Sequence, residues 1–229
     1  MSLKTAKVLE KRELTHDVFE LDFEKTFDFE IGQFITIKIN DQAPPCFRGY
    51  SLASNPSNQE TFTLCIKAIP GGRGSNWLHS LEPGDQIEFI GPVGSFTFKT
   101  SSEKTVFFIA TGTGIAPFKA SLENLLLTNK STQQFHLLFG VRHKEDIIYK
   151  ELFEDLAKHH DNFTFDITLS RSDDSWEGNN GRVTDILKSL DTTNSEAYIC
   201  GLTPMIDSVC NILKEKGLTE EEIHFEKYD

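Results

Sequence analysis

The chain has 229 residues, 38% hydrophobic and 25% charged, which is the make-up of an ordinary globular protein and excludes a disordered one. Its net charge of −12 repels phosphate backbones and anionic lipid heads, so neither nucleic acid nor a membrane surface is expected as a partner. No apolar run approaches the ~20 residues that span a bilayer. The N-terminus is charged from Lys4 onward and lacks the apolar core of a signal peptide, so a cytoplasmic location is expected. Cys46, Cys65, Cys200 and Cys210 form no C-x-x-C pair and the histidines are scattered, so no metal site or iron–sulfur cluster is expected.

In chain order, residues 1–101 read as an antiparallel β-barrel. Runs of period two at 18–23, 34–39 and 61–67 are separated by turn clusters at 32–33, 53–58, 71–72 and 82–85. About six short strands in this length predict a small barrel, with one helix at 75–81. The polar segment 99–104 then marks a boundary. Residues 102–229 read as an α/β domain, with apolar strands at 105–110, 135–141, 163–170, 197–200 and 223–226. Helical stripes recur at 149–160 (Tyr149, Leu152, Phe153, Leu156, Ala157) and 204–216 (Met205, Ile206, Val209, Cys210, Leu213). Strand–helix alternation predicts a five-stranded parallel sheet with ligands at the carboxyl ends of its strands.

Three motifs carry chemistry. In Ile109-Ala-Thr-Gly-Thr-Gly-Ile-Ala-Pro117, a strand turns into a helix through Gly112 and Gly114, which presents N–H groups to a phosphate. Glycines at such a turn also serve geometry alone. Pro117 replaces the third glycine of the usual dinucleotide fingerprint, and Gly140-Val141-Arg142 ends the next strand without an acid, so a plain dinucleotide-fold dehydrogenase is disfavoured. In Arg48-Gly49-Tyr50-Ser51 a fork, a flat ring and a hydroxyl are suited to a pyrophosphate, an aromatic ring and a ring nitrogen; a surface arginine beside a packed tyrosine is the plainer alternative. Gly71-Gly72-Arg73-Gly74-Ser75 enters a short helix as a second phosphate nest, or as a bare turn. One phosphate-binding design in each half points to two nucleotides.

Together these motifs resemble the ferredoxin–NADP reductase superfamily over the full length of the chain. Arg48-Gly49-Tyr50-Ser51 is similar to its R-x-Y-S flavin motif, with Gly49 where proline is frequent, and Gly91-Pro92-Val93-Gly94-Ser95-Phe96 to the run that closes its barrel. Thr111 to Pro117 resembles its pyridine-nucleotide loop, Cys200-Gly201-Leu202-Thr203-Pro204-Met205 its C-G-x-x-P-M turn, and Glu226-Lys227-Tyr228 its C-terminal tail. The resemblance implies FAD against the barrel. Arg48 would meet the pyrophosphate, Tyr50 the isoalloxazine and Ser51 its N5 edge. Cys65, Ile66 and Lys67 would line the flavin, and Gly72, Gly74 and Ser75 would hold phosphate. Thr113 would lie between the cofactors, and Cys200, with Gly201 and Met205 nearby, beside the nicotinamide. Glu226 would anchor or relay protons near N5, and Tyr228 would cover the flavin.

The implied activity is that of an NAD(P)H-dependent flavoprotein reductase, passing electrons through FAD to a separate acceptor such as a ferredoxin, a flavodoxin or an oxygenase component. Ser170-Arg171 resembles the pair that grips the 2′-phosphate of NADPH, with Arg142 and Arg182 as helpers. The run Trp176 to Thr184 resembles that of NADH-using relatives, and NADPH is slightly favoured. A reductase of free flavins or ferric chelates and a non-catalytic nucleotide-binding subunit are the alternatives. The acceptor and the oligomeric state stay open.

Overall fold

The structure is a computed structural model and describes residues 2–40, 43–98 and 103–228. It divides into two compact units: the described residues up to Phe98 together with Ala116–Asn129, and residues 103–115 together with the described residues from Lys130. The boundary expected at 101/102 lies outside the described residues.

The first unit is built on six antiparallel strands, β1 (Lys4–Glu13), β2 (Val18–Glu24), β3 (Phe34–Ile39), β4 (Cys46–Ser51), β5 (Thr61–Lys67) and β6 (Gln86–Val93), in the order β4-β3-β6-β1-β2-β5. The ends of that order meet, because Leu52 bridges Leu64 and the Ala53 N–H donates to the Thr63 carbonyl at 2.9 Å. The expected barrel is thereby observed. Its interior follows the period of two: Phe19, Leu21, Phe23, Ile35, Ile37, Phe62, Leu64, Ile87 and Phe89 are buried in one cluster. Each such side chain stabilises the fold by roughly 1.5–3 kcal/mol. The outward residue Glu20 is also buried, and its carboxylate accepts from Arg12, whose other N–H donates to Asp22 at 2.6 Å. A short helix, α1, occupies Arg73–His79, two residues ahead of the predicted span. Helix α2 (Ala116–Leu122) and the π-helical turn Glu123–Thr128 complete this unit.

The second unit is a parallel sheet of β7 (Thr105–Thr111), β8 (Phe135–Val141), β9 (Phe163–Leu169), β10 (Asn179–Asn180), β11 (Ser195–Gly201) and β12 (Ile223–Lys227), ordered β10-β9-β8-β7-β11-β12. Five strands match those predicted. The sixth, β10, has two polar residues and no apolar period to announce it; it pairs with Thr168 and Leu169, and the Thr168 hydroxyl also donates to the Asn179 carbonyl at 3.2 Å. One face carries Phe107, Ile109, Leu138, Ala197 and Ile199 under α4 (Val183–Ser189) and α5 (Thr203–Glu215). Helix α3 (Lys150–His159) uses Phe153 to reach Phe163 and Phe165, with ring centroids 6.4 and 5.1 Å away. Leu202 caps α5 and Thr203 is its first residue, one position ahead of the start expected at 204. No helix among the described residues is long and apolar enough to cross a membrane.

Candidate functional site

In the first unit, β4 and β5 are the terminal strands and join only where Leu52 and Ala53 meet Thr63 and Leu64. Among the described residues no strand completes the outer edge of β4 alongside Cys46–Tyr50, so the barrel is left with two lips. Arg48 is exposed, and its guanidinium donates to the Phe47 carbonyl at 2.8 Å. Tyr50 is half-buried against the barrel core, and loss of water around it pushes its phenol up to about 12. Ser51 is buried.

The sequence separates Gly74 from these residues, but the fold brings it against them. A Cβ on Gly74 would stand 3.0 Å from Arg48 Cγ and 3.0 Å from the Tyr50 hydroxyl. The missing side chain lets the start of α1 pack directly on the arginine and the phenol. A fork, an aromatic face and a helix entry side by side fit the pyrophosphate and ring of FAD. Gly72 serves a different purpose, since its Cβ would lie 2.7 Å from Ser75 Oγ. That hydroxyl accepts the Ile69 N–H at 3.1 Å, so Ser75 closes its own turn. On the opposite lip Cys65 and Ile66 are buried, while Lys67 is exposed with its ammonium 2.6 Å from Asp17. Sequence reasoning passed over Phe34, whose ring would meet a Cβ on Gly49 at 3.5 Å; its outward place in β3, opposite Ser51, was the available signal.

In the second unit the strand order reverses at β7, whose neighbours are β8 and β11, and it is at the carboxyl ends beside such a switch point that open sheets of this kind bind ligands. Here Gly112-Thr113-Gly114-Ile115 forms a tight turn, with Gly112 left-handed at φ +54°. Gly114 is pressed on the next strand: a Cβ there would lie 2.7 Å from the Cys200 carbonyl carbon and closer still to its oxygen. Gly201 is similarly tight against the Thr111 hydroxyl, and its Cβ would reach Met205 Cε at 2.6 Å. Pro117 is buried in the first turn of α2, and its carbonyl accepts from the Ser121 hydroxyl at 2.7 Å.

Cys200 is fully buried. Burial pushes its thiol well above the usual range and the Glu226 carboxylate adds to the shift, so the group stays a neutral thiol. Its neighbour across the sheet is Glu226, followed by Lys227 opposite Gly201, and the Tyr228 N–H donates to the Gly201 carbonyl at 3.0 Å. The two predicted tail residues are thus placed beside the cysteine.

The arginines gather at the ends of β8 and β9. The Arg171 N–H donates to the Arg142 carbonyl at 2.9 Å, and the Ser170 N–H to the Val141 carbonyl at 3.0 Å. Arg182 follows Gly181, whose N–H donates to Leu169 at the same end of β9. All three arginines are exposed, and none has an ion pair among the described residues. The tryptophan run folds on itself: the Trp176 indole donates to the Asn179 carbonyl at 2.9 Å and lies over Gly178.

Comparison with known proteins also divides the chain in two, but gives 116–129, which pack with the first unit, to its second part. Residues 5–98 match the oxidoreductase FAD-binding domain family and residues 108–211 the oxidoreductase NAD-binding domain family. A ferredoxin–NADP reductase B of Sorangium cellulosum is 35% identical, the match covering 98% of this chain and 97% of that protein. A glycine betaine monooxygenase reductase subunit of Pseudomonas aeruginosa is 32% identical over 88% of this chain, which spans only 57% of that longer protein. The same fold occurs in a ferredoxin NADP+ reductase from Neisseria gonorrhoeae, with a TM-score of 0.88 at 21% identity over 99% of each chain. The chain is an NAD(P)H-dependent flavoprotein reductase and belongs to the ferredoxin–NADP reductase superfamily.

Proposed function

We propose that this reductase binds FAD along the lips of β4 and β5, takes NADPH at the switch point, and hands electrons to a separate carrier protein or oxygenase component. The single observation that carries the flavin assignment is the approach of Gly74 to Arg48 and Tyr50, which brings two separate pieces of sequence together. Bound FAD supplies the redox chemistry that no side chain of the protein provides. In this reading Arg48 binds pyrophosphate, Tyr50 offers its ring face and Ser51 a hydroxyl at the N5 edge. Cys65, Ile66 and Lys67 line the far lip. Gly74 lets the start of α1 pack on Arg48 and Tyr50, and the Ser75 hydroxyl stabilises that turn.

Residues 102–229 then serve as the nucleotide half and 1–101 as the flavin half. Gly112 and Gly114 admit the nucleotide's phosphates, and Thr113 and Cys200 bound the nicotinamide pocket. The three arginines without ion pairs support a 2′-phosphate, hence NADPH. The acceptor class is supported by relatives that are a ferredoxin–NADP reductase and an oxygenase reductase subunit.

The test is the absorbance spectrum of purified protein, followed by rapid-mixing reduction with NADPH and with NADH. Flavin bands and faster reduction by NADPH are expected. Protein that neither carries nor takes up FAD would overturn the reading. Substoichiometric FAD with turnover of added free flavin would replace the carrier protein by a small-molecule acceptor.

A further inference from the structure

In the second unit the segment that follows β10 is tied to the sheet by a residue outside the site described above. Thr168, on β9, is fully buried. Its hydroxyl donates to the Gly181 carbonyl at 2.9 Å and to the Asn179 carbonyl at 3.2 Å. A hydroxyl has one proton, so the shorter bond to Gly181 takes the larger share. The Gly181 N–H donates in turn to the Leu169 carbonyl at 2.9 Å. The next residue is Arg182, which leads into α4, and its own N–H donates to the Asp185 carboxylate at 2.9 Å.

A second feature holds Arg182 from the other side. Gly140 lies on β8 level with Thr168, and a Cβ there would stand 2.8 Å from Val183 Cγ1. The bare backbone is what lets Val183, the first residue of α4, settle on the sheet, where it is buried. Packing alone does not call for the Thr168 hydroxyl. Valine has nearly the same shape, suits a strand and brings no polar group into the interior. A buried hydroxyl selects one placement of the loop instead, because its proton must find a carbonyl. The backbone of Arg182 is therefore fixed before and after, while its exposed guanidinium has no ion pair among the described residues.

We propose that Thr168 and Gly140 are positioning residues that set the nucleotide preference: they fix Arg182 at the carboxyl end of β9, from which Ser170 and Arg171 continue, so that its guanidinium meets a 2′-phosphate. The inference rests on the functional reading above. A charge-assisted hydrogen bond depends on distance and angle, so an arginine that drifts loses the 2′-phosphate while the rest of the nucleotide is still held.

The experiment titrates the purified full chain, with FAD added, calorimetrically with NADP+ and with NAD+. The two differ only in the 2′-phosphate, and neither reacts with oxidised flavin. The variants are Thr168→Val, Thr168→Ser, Arg182→Ala and Thr168→Val combined with Arg182→Ala, with thermal melts alongside. Thr168→Val should weaken NADP+ by about tenfold, the scale of one hydrogen bond to a charged group, and leave NAD+ within about twofold. Thr168→Ser keeps the hydroxyl and should restore most of the difference. Arg182→Ala should lose at least as much, and adding Thr168→Val to it should lose nothing more, since both act through one contact. An unchanged preference in Thr168→Val, equal weakening of both nucleotides, or a loss that persists without Arg182 would make Thr168 merely structural and overturn the proposal. Should Thr168→Val fail to fold, Gly140→Ala decides in the same way, because its Cβ displaces Val183 and with it Arg182. A parent protein that binds the two nucleotides equally would overturn the NADPH reading itself, and the proposal with it.

Discussion

Replacing Gly114 by alanine should disable the nucleotide site without touching the flavin site. The added Cβ would lie 2.7 Å from the Cys200 carbonyl carbon and 3.0 Å from the Gly201 nitrogen. Ordinary contact between carbon atoms needs 3.5–4.0 Å, so the turn or the end of β11 must shift by about 1 Å. Every atom met is backbone, and no flexible side chain can swing aside. Such overpacking typically costs about 1–3 kcal/mol of stability. A displacement of that size at a reacting centre lowers the rate by about a hundredfold. Anaerobic rapid mixing with NADPH measures the rate, and a thermal melt measures the stability. Gly112→Ala is the comparison: its Cβ meets nothing within 4 Å, and only its left-handed φ is penalised, at about 1–2 kcal/mol. FAD content should stay at the parent level in both. A Gly114→Ala protein that melts early yet reduces its flavin at the parent rate would refute the link between this close approach and the chemistry.

Three further outcomes are expected. Arg171→Ala should weaken NADPH by about 1.5–3 kcal/mol and leave NADH nearly untouched, because only NADPH carries the 2′-phosphate; equal losses for both would make Arg171 structural. In FAD-free protein the Tyr50 phenol keeps its proton to about 12, against 10.0 in the unfolded chain. The unfolded chain therefore sheds that proton first, and stability present below pH 10.0 is lost as pH rises through this window, by about 2–3 kcal/mol. Tyr50→Phe should flatten that alkaline loss in denaturant titrations, and an unchanged slope would show the phenol to be wetter than its surroundings suggest. Cys200→Ala should slow flavin reduction with FAD still bound, while Cys210→Ala, at the margin of the second core, should affect stability alone; equal reduction rates in both variants would make Cys200 inert packing.

Most of the fold was legible because its periods are plain. The alternation in β2, β3 and β5 is the one expected where one face meets a core, and the five apolar strands of the sheet match runs of Val, Ile, Leu and Phe. Helix ends slipped by one or two residues, since end residues are held by caps and turns that composition does not reveal. Tyr149 was placed in the stripe of α3, but it stands before the helix at φ +57°. The motifs named the residues at both sites. What they left unread was three-dimensional: Gly74 against Tyr50, Gly114 against Cys200, and Asn55 against Asn124 pair positions far apart in the chain. No local pattern marks a residue whose importance is the side chain it lacks.

The nucleotide preference turns on which residues are already engaged. The tryptophan run resembles that of NADH-using relatives, yet its members have local work to do. The indole caps the Asn179 carbonyl, Asn179 and Asn180 pair with β9, and the Asp185 carboxylate accepts the Arg182 N–H at 2.9 Å at the start of α4. This run shapes the sheet edge whichever nucleotide is used, so it carries little weight toward NADH. The guanidinium groups of Arg142, Arg171 and Arg182 have no such local ion pairs among the described residues. In a chain of net charge −12, acids are plentiful enough to pair with any exposed arginine. Three cations left without them at the carboxyl ends of two adjacent strands support the proposal of a bound dianion, which is what separates NADPH from NADH.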